Sequence, residues 1–583
     1  MLVLILGAHI LEPRRDLQLS ETTMTHQQAI NEVCAPGQPF ELKPTQIRGQ
    51  SCRVLVNAPP TLHDLYADNL SELDFLIYGD ERLSFDEVYR RASALAAAMV
   101  EDYGIRHGDR VALAMCNYPE WVITFFAATS IGAIAVPVNA WWSTRELSHS
   151  LDDCQPSLIV ADQERLDRLA DCKPLIDEIG TLCVRATEHS GFESDSWDEV
   201  LGKHAGTRMP RASIDPDDDA IILYTSGSTG YPKGVVSSHR AIIHAVLSWE
   251  LDWELRACMG VYELPELDDQ GGMLLAIPLF HVSGCHAAML SSIRVQRKVV
   301  CMYKWDPQTA LELIERERVT VVMATPAISG DVVHASATSS RDLSSMVALG
   351  GGGAPRAPEQ VRAIDQMSES LIPATGWGMT ETNAIGTGNA GPDYVDHPSS
   401  SGRCSAVLDI RVVDPDGNEC PTGERGELQV RGTAMFRAYW NQSEATVEAH
   451  DGEWFRTGDA AIIDEDGFMY IVDRIKDLVI RGGENIGCGA VEAAMLEHPD
   501  VREACVYSVP DPRLGEEVGA TIWVAQVQDE DELRAFLSDG LAKFEIPRYF
   551  HQTTKPLPRI ASGKIAKRQL KAEAIDRLGM KVT

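Results

Sequence analysis

The chain is short of positive charge. Of its 583 residues, 52 are Lys or Arg and 86 are Asp or Glu, a formal net charge of −34. A protein that follows a phosphate backbone carries a basic face, so the deficit argues against a nucleic-acid partner and against adsorption to anionic lipid. Small anionic ligands stay open, because a local loop can bind them against the global field. The 13 cysteines include no CxxC pair, which reads as reduced thiols. The one Cys/His adjacency, Cys285 and His286, has no second pair to complete a metal site. No GxSxG elbow is present, which leaves a hydrolase of that type unsupported, and no solenoid repeat recurs. A run of about 20 apolar residues is also missing, so no integral membrane segment is expected. The apolar stretch 1–11 is too short to span a bilayer and lacks the basic start and clear cleavage site of a signal peptide. Met24 is an alternative start, and residues 1–24 read as an extension that the mature protein need not contain. A cytoplasmic location is expected, with peripheral membrane contact left open.

What is there is a globular balance, 44% hydrophobic and 24% charged. Residues 85–103 carry Phe85, Val88, Tyr89, Ala92, Leu95, Ala96 and Met99 at helical spacing. Short apolar runs follow at 110–115, 133–138, 157–161, 220–224, 273–278, 319–323 and 347–349, separated by helical stretches such as 121–128. That alternation predicts an α/β fold with parallel-rich sheets covered by helices. Near Arg403 the pattern turns to short strands at 407–413, 427–430 and 468–472, with turn signals at 415–417 and 465–467. Beyond Arg474, strands at 504–509 and 520–524 and an amphipathic helix at 531–537 suit a small α+β domain. The expected division is a large domain over 25–475, including a small β-barrel-like subdomain, and a C-terminal domain over 476–583.

The strongest chemical signal follows the apolar run 220–224. Thr225, Ser226, Gly227, Ser228, Thr229, Gly230, Tyr231, Pro232, Lys233 and Gly234 form a loop rich in N–H and O–H donors with one cation, suited to a polyphosphate. It is not a Walker A loop, since Pro232 stands where the second glycine is required. Residues 386–391 spell GxGxxG, but Pro392 and Pro398 are expected to interrupt the strand-to-helix context of a dinucleotide site.

Further segments then occur in order: His281 after Pro278, Leu279 and Phe280; the glycines 350–353 with Ala354 and Pro355; Gly376, Trp377, Gly378, Met379, Thr380 and Glu381; Asp459 after Thr457 and Gly458; Arg474 and Lys476; Gly482 and Gly483; and Lys564 in a Pro558 to Ile565 segment. Across about residues 60 to 570 the chain resembles the adenylate-forming superfamily of acyl-CoA synthetases, peptide-synthetase adenylation domains and firefly-type luciferases. The resemblance implies a phosphate-binding role for residues 225–233 and places His281 between acyl pocket and adenylate. It sets Gly352, Gly353, Ala354 and Pro355 against adenine, with Gly376, Trp377, Gly378 and Met379 lining the nucleotide. Trp377 would stack on the purine, and Thr380 would bond the α-phosphate. Glu381 would ligate Mg²⁺, a hard cation suited to carboxylate oxygen. Asp459 and Arg474 would hold ribose, Lys476 would be the hinge of a mobile C-terminal domain, and Gly483 would meet the pantetheine tunnel. Lys564 would enter the site only when that domain closes.

The implied activity is a carboxylate–CoA ligase using ATP, Mg²⁺ and coenzyme A, with Lys564, Glu381, Thr225 and His281 as the catalytic set. Residues 281–290 hold no carboxylate to pair with an amino group, which argues against an amino-acid substrate. Their apolar character points to a medium- or long-chain fatty acid. A ligase for an aryl or sterol side-chain acid, a stand-alone enzyme loading a carrier protein, and a luciferase-like oxygenase are the alternatives. A homodimer is left open.

Overall fold

The structure is a computed structural model. It describes residues 24–170, 179–185, 194–225, 232–261, 269–354, 356–481, 484–538, 540–560 and 564–580.

Two large mixed sheets dominate. The first has eight strands in the order Ala438–Tyr439, Lys233–Ser238, Asp219–Thr225, Ile134–Pro137, Arg110–Ala114, Leu158–Asp162, Gly180–Val184, Asp195–Ser196. The second has nine: Arg403–Cys404, Thr387–Ala390, Ile372–Trp377, Ala348–Gly352, Val321–Met323, Gly272–Leu275, Lys298–Cys301, Asp74–Tyr78, Glu81–Ser84. Their central strands are parallel and the antiparallel pairs lie toward the edges, as the strand–helix rhythm predicts.

The layer between the sheets is helical. Helix Pro119–Ser130 is buried on nearly every side and packs on strands of both sheets. A helix apolar all round belongs in such a place. Helix Phe85–Glu101 begins with Ser84 accepting from the Glu87 amide and lays Val88, Ala92, Leu95 and Met99 into the same core. Ring stacking at 3.6 Å between Tyr66 and Phe126 and at 4.3 Å between Phe75 and Phe85 fills the layer.

The third sheet is antiparallel: Leu408–Val413, Gly426–Gly432 and Trp454–Ile463 in series, with His450–Asp451 and Met469–Arg474 both paired to Trp454–Ile463. Among the described residues no pairing closes it into a ring. Both expected turns are present, with Asp414 and Asp464 accepting backbone N–H groups across them. The C-terminal sheet, Glu484–Ile486, Val479–Arg481, Gly515–Val524 and Val501–Asp511 with Tyr549–Thr553 beside Gly515–Val524, has its own apolar cluster of Val479, Val491, Val506, Ile522 and Leu537. The chain passes from the third sheet to this one through the single turn Ile475–Asp477.

One sequence expectation fails in its detail. Thr387–Ala390 is a strand within the GxGxxG stretch and a short helix, Pro392–Asp396, does follow it. Pro392 opens that helix at its first turn, where a missing N–H costs nothing. The strand is antiparallel to both neighbours, so no βαβ unit forms.

Candidate active site

The site lies where the parallel strands end, the usual position for a ligand crevice in open α/β sheets. Thr225 closes the strand Asp219–Thr225 and faces Lys233 across the hairpin, its Oγ1 donating to the Lys233 carbonyl at 3.5 Å. The loop residues Ser226 to Gly230 lie outside the described residues, as do Pro355 and Gly483.

Lys233 places its Nζ 5.1 Å from the Tyr439 ring centre. Tyr439 in turn donates its hydroxyl to Glu381 Oε1 at 2.9 Å. Glu381 is buried, and burial raises its carboxyl pKa against the lowering effect of the Tyr439 bond. It sits in a 3₁₀ turn, Thr380–Thr382, followed by Asn383 at φ 53° and Ala384 at φ 68°. Two successive non-glycine residues in the left-handed region are strained backbone, and such strain is held where the surroundings over-determine it. Asn383 Nδ2 secures the turn by donating to Ala434 O at 2.9 Å. Gly378 is required here, because a Cβ would collide with the Ala384 carbonyl.

Asp459 is the second buried acid, with a side chain only 4% exposed. It receives Arg474 Nε at 2.7 Å and Trp377 Nε1 at 2.8 Å. Arg474 is its cross-strand neighbour, so the pair follows from strand register. Burial raises the Asp459 pKa, while Arg474 and Trp377 oppose that rise. The indole therefore holds the acid through its edge, a contact the sequence reading did not anticipate.

The glycines 350–353 divide by role. A Cβ at Gly350, Gly351 or Gly352 would strike the carbonyl of Ala374, Ala324 or Gly376. Close strand packing thus requires glycine at all three positions. Gly353, at φ 87°, faces the cleft: a methyl there would lie 3.6 Å from Lys564 Cε and 3.9 Å from its Nζ. The C-terminal unit thus delivers Lys564 into the cleft. Lys564 is exposed over part of its surface, but partial desolvation at the cleft and the Arg474 charge hold its pKa below the ordinary Lys value.

His281 follows Pro278, its amide donating to the Pro278 carbonyl at 3.1 Å. Its Nε2 is buried with no hydrogen-bond partner among the described residues, and burial together with Lys564 lowers its pKa to about 4. The segment after it, Ser283–Met289, is a π-helix, a form that often marks functional sites and that apolar periodicity does not reveal. Beside Phe280 lies a cavity of ≈ 210 Å³ lined by Asn117, Trp141, Tyr303, Ile328 and, from the C-terminal unit, Arg559. Lys476 lies in the turn Ile475–Asp477. Tyr439 was missed by sequence reasoning. Its two-residue strand is placed by pairing with Val235 and Val236, about 200 positions earlier, and no local signal marks it.

A family model for the AMP-binding enzyme matches residues 66–440, and one for the AMP-binding enzyme C-terminal domain matches 490–564. The chain belongs to the AMP-binding enzyme family. It is similar to a feruloyl-CoA synthase from an Amycolatopsis species, 33% identical over 85% of this chain and 94% of that one. It is also similar to a long-chain-fatty-acid–CoA ligase, FadD13, from Mycobacterium tuberculosis, 32% identical over 83% and 92%. The solved o-succinylbenzoate CoA synthetase of Bacillus subtilis, in complex with its acyl-adenylate intermediate, superimposes with a TM-score of 0.74 at 27% identity, covering 88% of this chain and 98% of that one. This AMP-binding enzyme is an acyl-CoA synthetase: it ligates an acid to coenzyme A at the expense of ATP through an acyl-adenylate. No helix among the described residues is long and apolar enough to cross a membrane.

Proposed function

We propose that the two buried acids divide the nucleotide between them, and that Lys564 acts on it only in the domain arrangement seen here. The observation that carries this reading is the convergence of Glu381, Asp459, Arg474 and Lys564, from two domains, on one cleft. Asp459, steadied by Trp377 and Arg474, accepts from the ribose hydroxyls. Lys564 and the 225–233 loop meet the phosphate charge as the carboxylate attacks the α-phosphorus and pyrophosphate leaves. Such a step needs positioning and charge neutralisation more than covalent help.

Glu381 fits Mg²⁺: a buried carboxylate whose charge burial disfavours gains most from a cation, and one carboxylate plus substrate phosphates is how Mg²⁺ is commonly held. Bound there, the ion would neutralise phosphate charge. His281, neutral at pH 7, separates acyl group from adenylate without adding a charge. After adenylation the C-terminal unit turns about Lys476, withdraws Lys564 and brings Gly483 to guide the thiol of coenzyme A.

For the acid, the apolar 281–290 segment supports an aliphatic chain. A second reading, an aryl acid with a polar ring substituent, draws on the buried His281 Nε2, which has no partner among the described residues. Pyrophosphate release over octanoate, palmitate, ferulate and 2-succinylbenzoate separates the two. Preference for palmitate or octanoate upholds the aliphatic reading, and preference for ferulate replaces it. A carrier protein outcompeting coenzyme A as acceptor would overturn the ligase assignment.

A further inference from the structure

Asp473 is the residue before Arg474 and belongs to strand Met469–Arg474 of the large domain. Its Oδ1 accepts from the Arg474 amide at 2.7 Å, and its Oδ2 accepts from the Cys488 amide at 2.5 Å. Cys488 is the first residue of helix Cys488–Leu496, which packs in the core of the C-terminal unit. The helix has no side-chain cap of its own, because Gly487 occupies the N-cap position. A first-turn N–H without an internal acceptor, at the positive end of a helix, is well matched to a carboxylate. The acceptor therefore comes from across the domain boundary.

A second contact runs beside it. A Cβ at Gly487 would lie 3.1 Å from Val472 Cγ1 and 3.2 Å from Val472 O, so the absent side chain lets the helix start seat on the strand. Both contacts join residues on opposite sides of the turn Ile475–Asp477. Rotation about that turn must separate them, since one partner stays with the third sheet while the other leaves with the C-terminal sheet.

We infer that Asp473 is a latch, a positioning residue that caps helix Cys488–Leu496 only while Lys564 is in the cleft and so favours the adenylation arrangement. The inference rests on the hinge assigned under the proposed function. It assigns no chemistry to Asp473 itself.

Cys488→Pro tests the latch. Proline suits the first position of a helix, and the substitution deletes only the N–H donor there together with the thiol. Cys488→Ala keeps the N–H and serves as the control for the thiol. Asp473→Ala removes the acceptor. An N-cap loss typically costs about 1 kcal/mol, which is about five-fold in an equilibrium. Cys488→Pro and Asp473→Ala are expected to lower single-turnover pyrophosphate release about five-fold without slowing thioester formation from supplied acyl-adenylate. Both should also speed tryptic cleavage at Arg474 and Lys476. Cys488→Ala should match the parent in all three. Parallel loss of both half-reactions, or unchanged adenylation and cleavage in Cys488→Pro, overturns the latch. Absence of pyrophosphate release in the parent chain with every acid tried would instead count against the proposed function, and the cleavage comparison would still judge the latch.

Discussion

Tyr439 is the residue on which Glu381 depends most visibly. Its hydroxyl is a hydrogen-bond donor to a buried carboxylate, and a bond to a charged group contributes about 1.5–3 kcal/mol. Tyr439→Phe should slow pyrophosphate release about ten-fold at pH 7. Because the Tyr439 bond lowers the Glu381 pKa, its loss lets that pKa rise further. The acid limb of the adenylation pH profile should therefore move to higher pH in Tyr439→Phe, a shift that a purely structural defect would not cause. An unmoved limb would show that Glu381 is not the group titrating there. Lys564→Ala should abolish adenylation while leaving thioester formation from supplied adenylate largely intact, and equal loss of both would refute its assignment. These residues differ in how readable they were. Glu381, Asp459 and Lys564 sit in ordered local motifs, whereas Tyr439 acquires its place from a strand pairing that no local pattern encodes.

Helix His239–Cys258 joins the N-terminal segments to the core through two neutral imidazoles. His239 Nδ1 accepts from the Leu62 amide at 3.1 Å, and His244 Nε2 accepts from the Leu55 amide at 2.9 Å. Burial lowers both pKa values to about 4. The folded pKa lies below the unfolded value of about 6.5, so the folded state resists protonation. The stability from these bonds is complete above pH 6.5 and is lost as pH falls toward 4, up to about 3 kcal/mol for each imidazole. Thermal midpoints should accordingly drop from pH 7 to pH 4.5. The double variant His239→Asn, His244→Gln, which keeps an acceptor at each place without a titrating ring, should fall less steeply. Equal slopes would assign the acid loss to other groups. Elements of this kind show where sequence reading stops. The apolar runs 220–224 and 520–524 announce the strands Asp219–Thr225 and Gly515–Val524, the second only in its latter half, and spacing announces helix Phe85–Glu101. The π-helix Ser283–Met289 has no period of its own, and the place of Asp74–Tyr78 beside Lys298–Cys301 depends on contacts more than 200 positions apart.

The whole molecule must satisfy two demands with one cleft. On the proposed function, adenylation uses Lys564 where it lies now, beside Gly353, and a second reactant must then approach the carbonyl carbon of the adenylate. On the proposed function both cannot be met by a rigid body, because the chain beyond the turn Ile475–Asp477 carries Lys564 and also Gly483, the residue proposed to guide the thiol. The link between domains is one turn, Ile475–Asp477, and the C-terminal unit has its own sheet and apolar core, so it can move without unfolding. Closure is therefore a choice between docked surfaces, biased by contacts that cross the boundary such as Asp473 with the Cys488 amide. Lys476→Pro fixes φ near −65° at that turn and removes a backbone N–H. A turn so restricted can keep the present arrangement while losing the dihedral change that rotation requires. Pyrophosphate release in the first turnover should stay within about two-fold of the parent, while thioester formation from supplied adenylate should fall at least about a hundred-fold. Stopped-flow detection of pyrophosphate beside quenched-flow detection of thioester separates the two steps. If Lys476→Pro instead lost adenylation and retained the thiol step, the arrangement described here would be the thioester-forming one, and Lys564 would have to be reassigned.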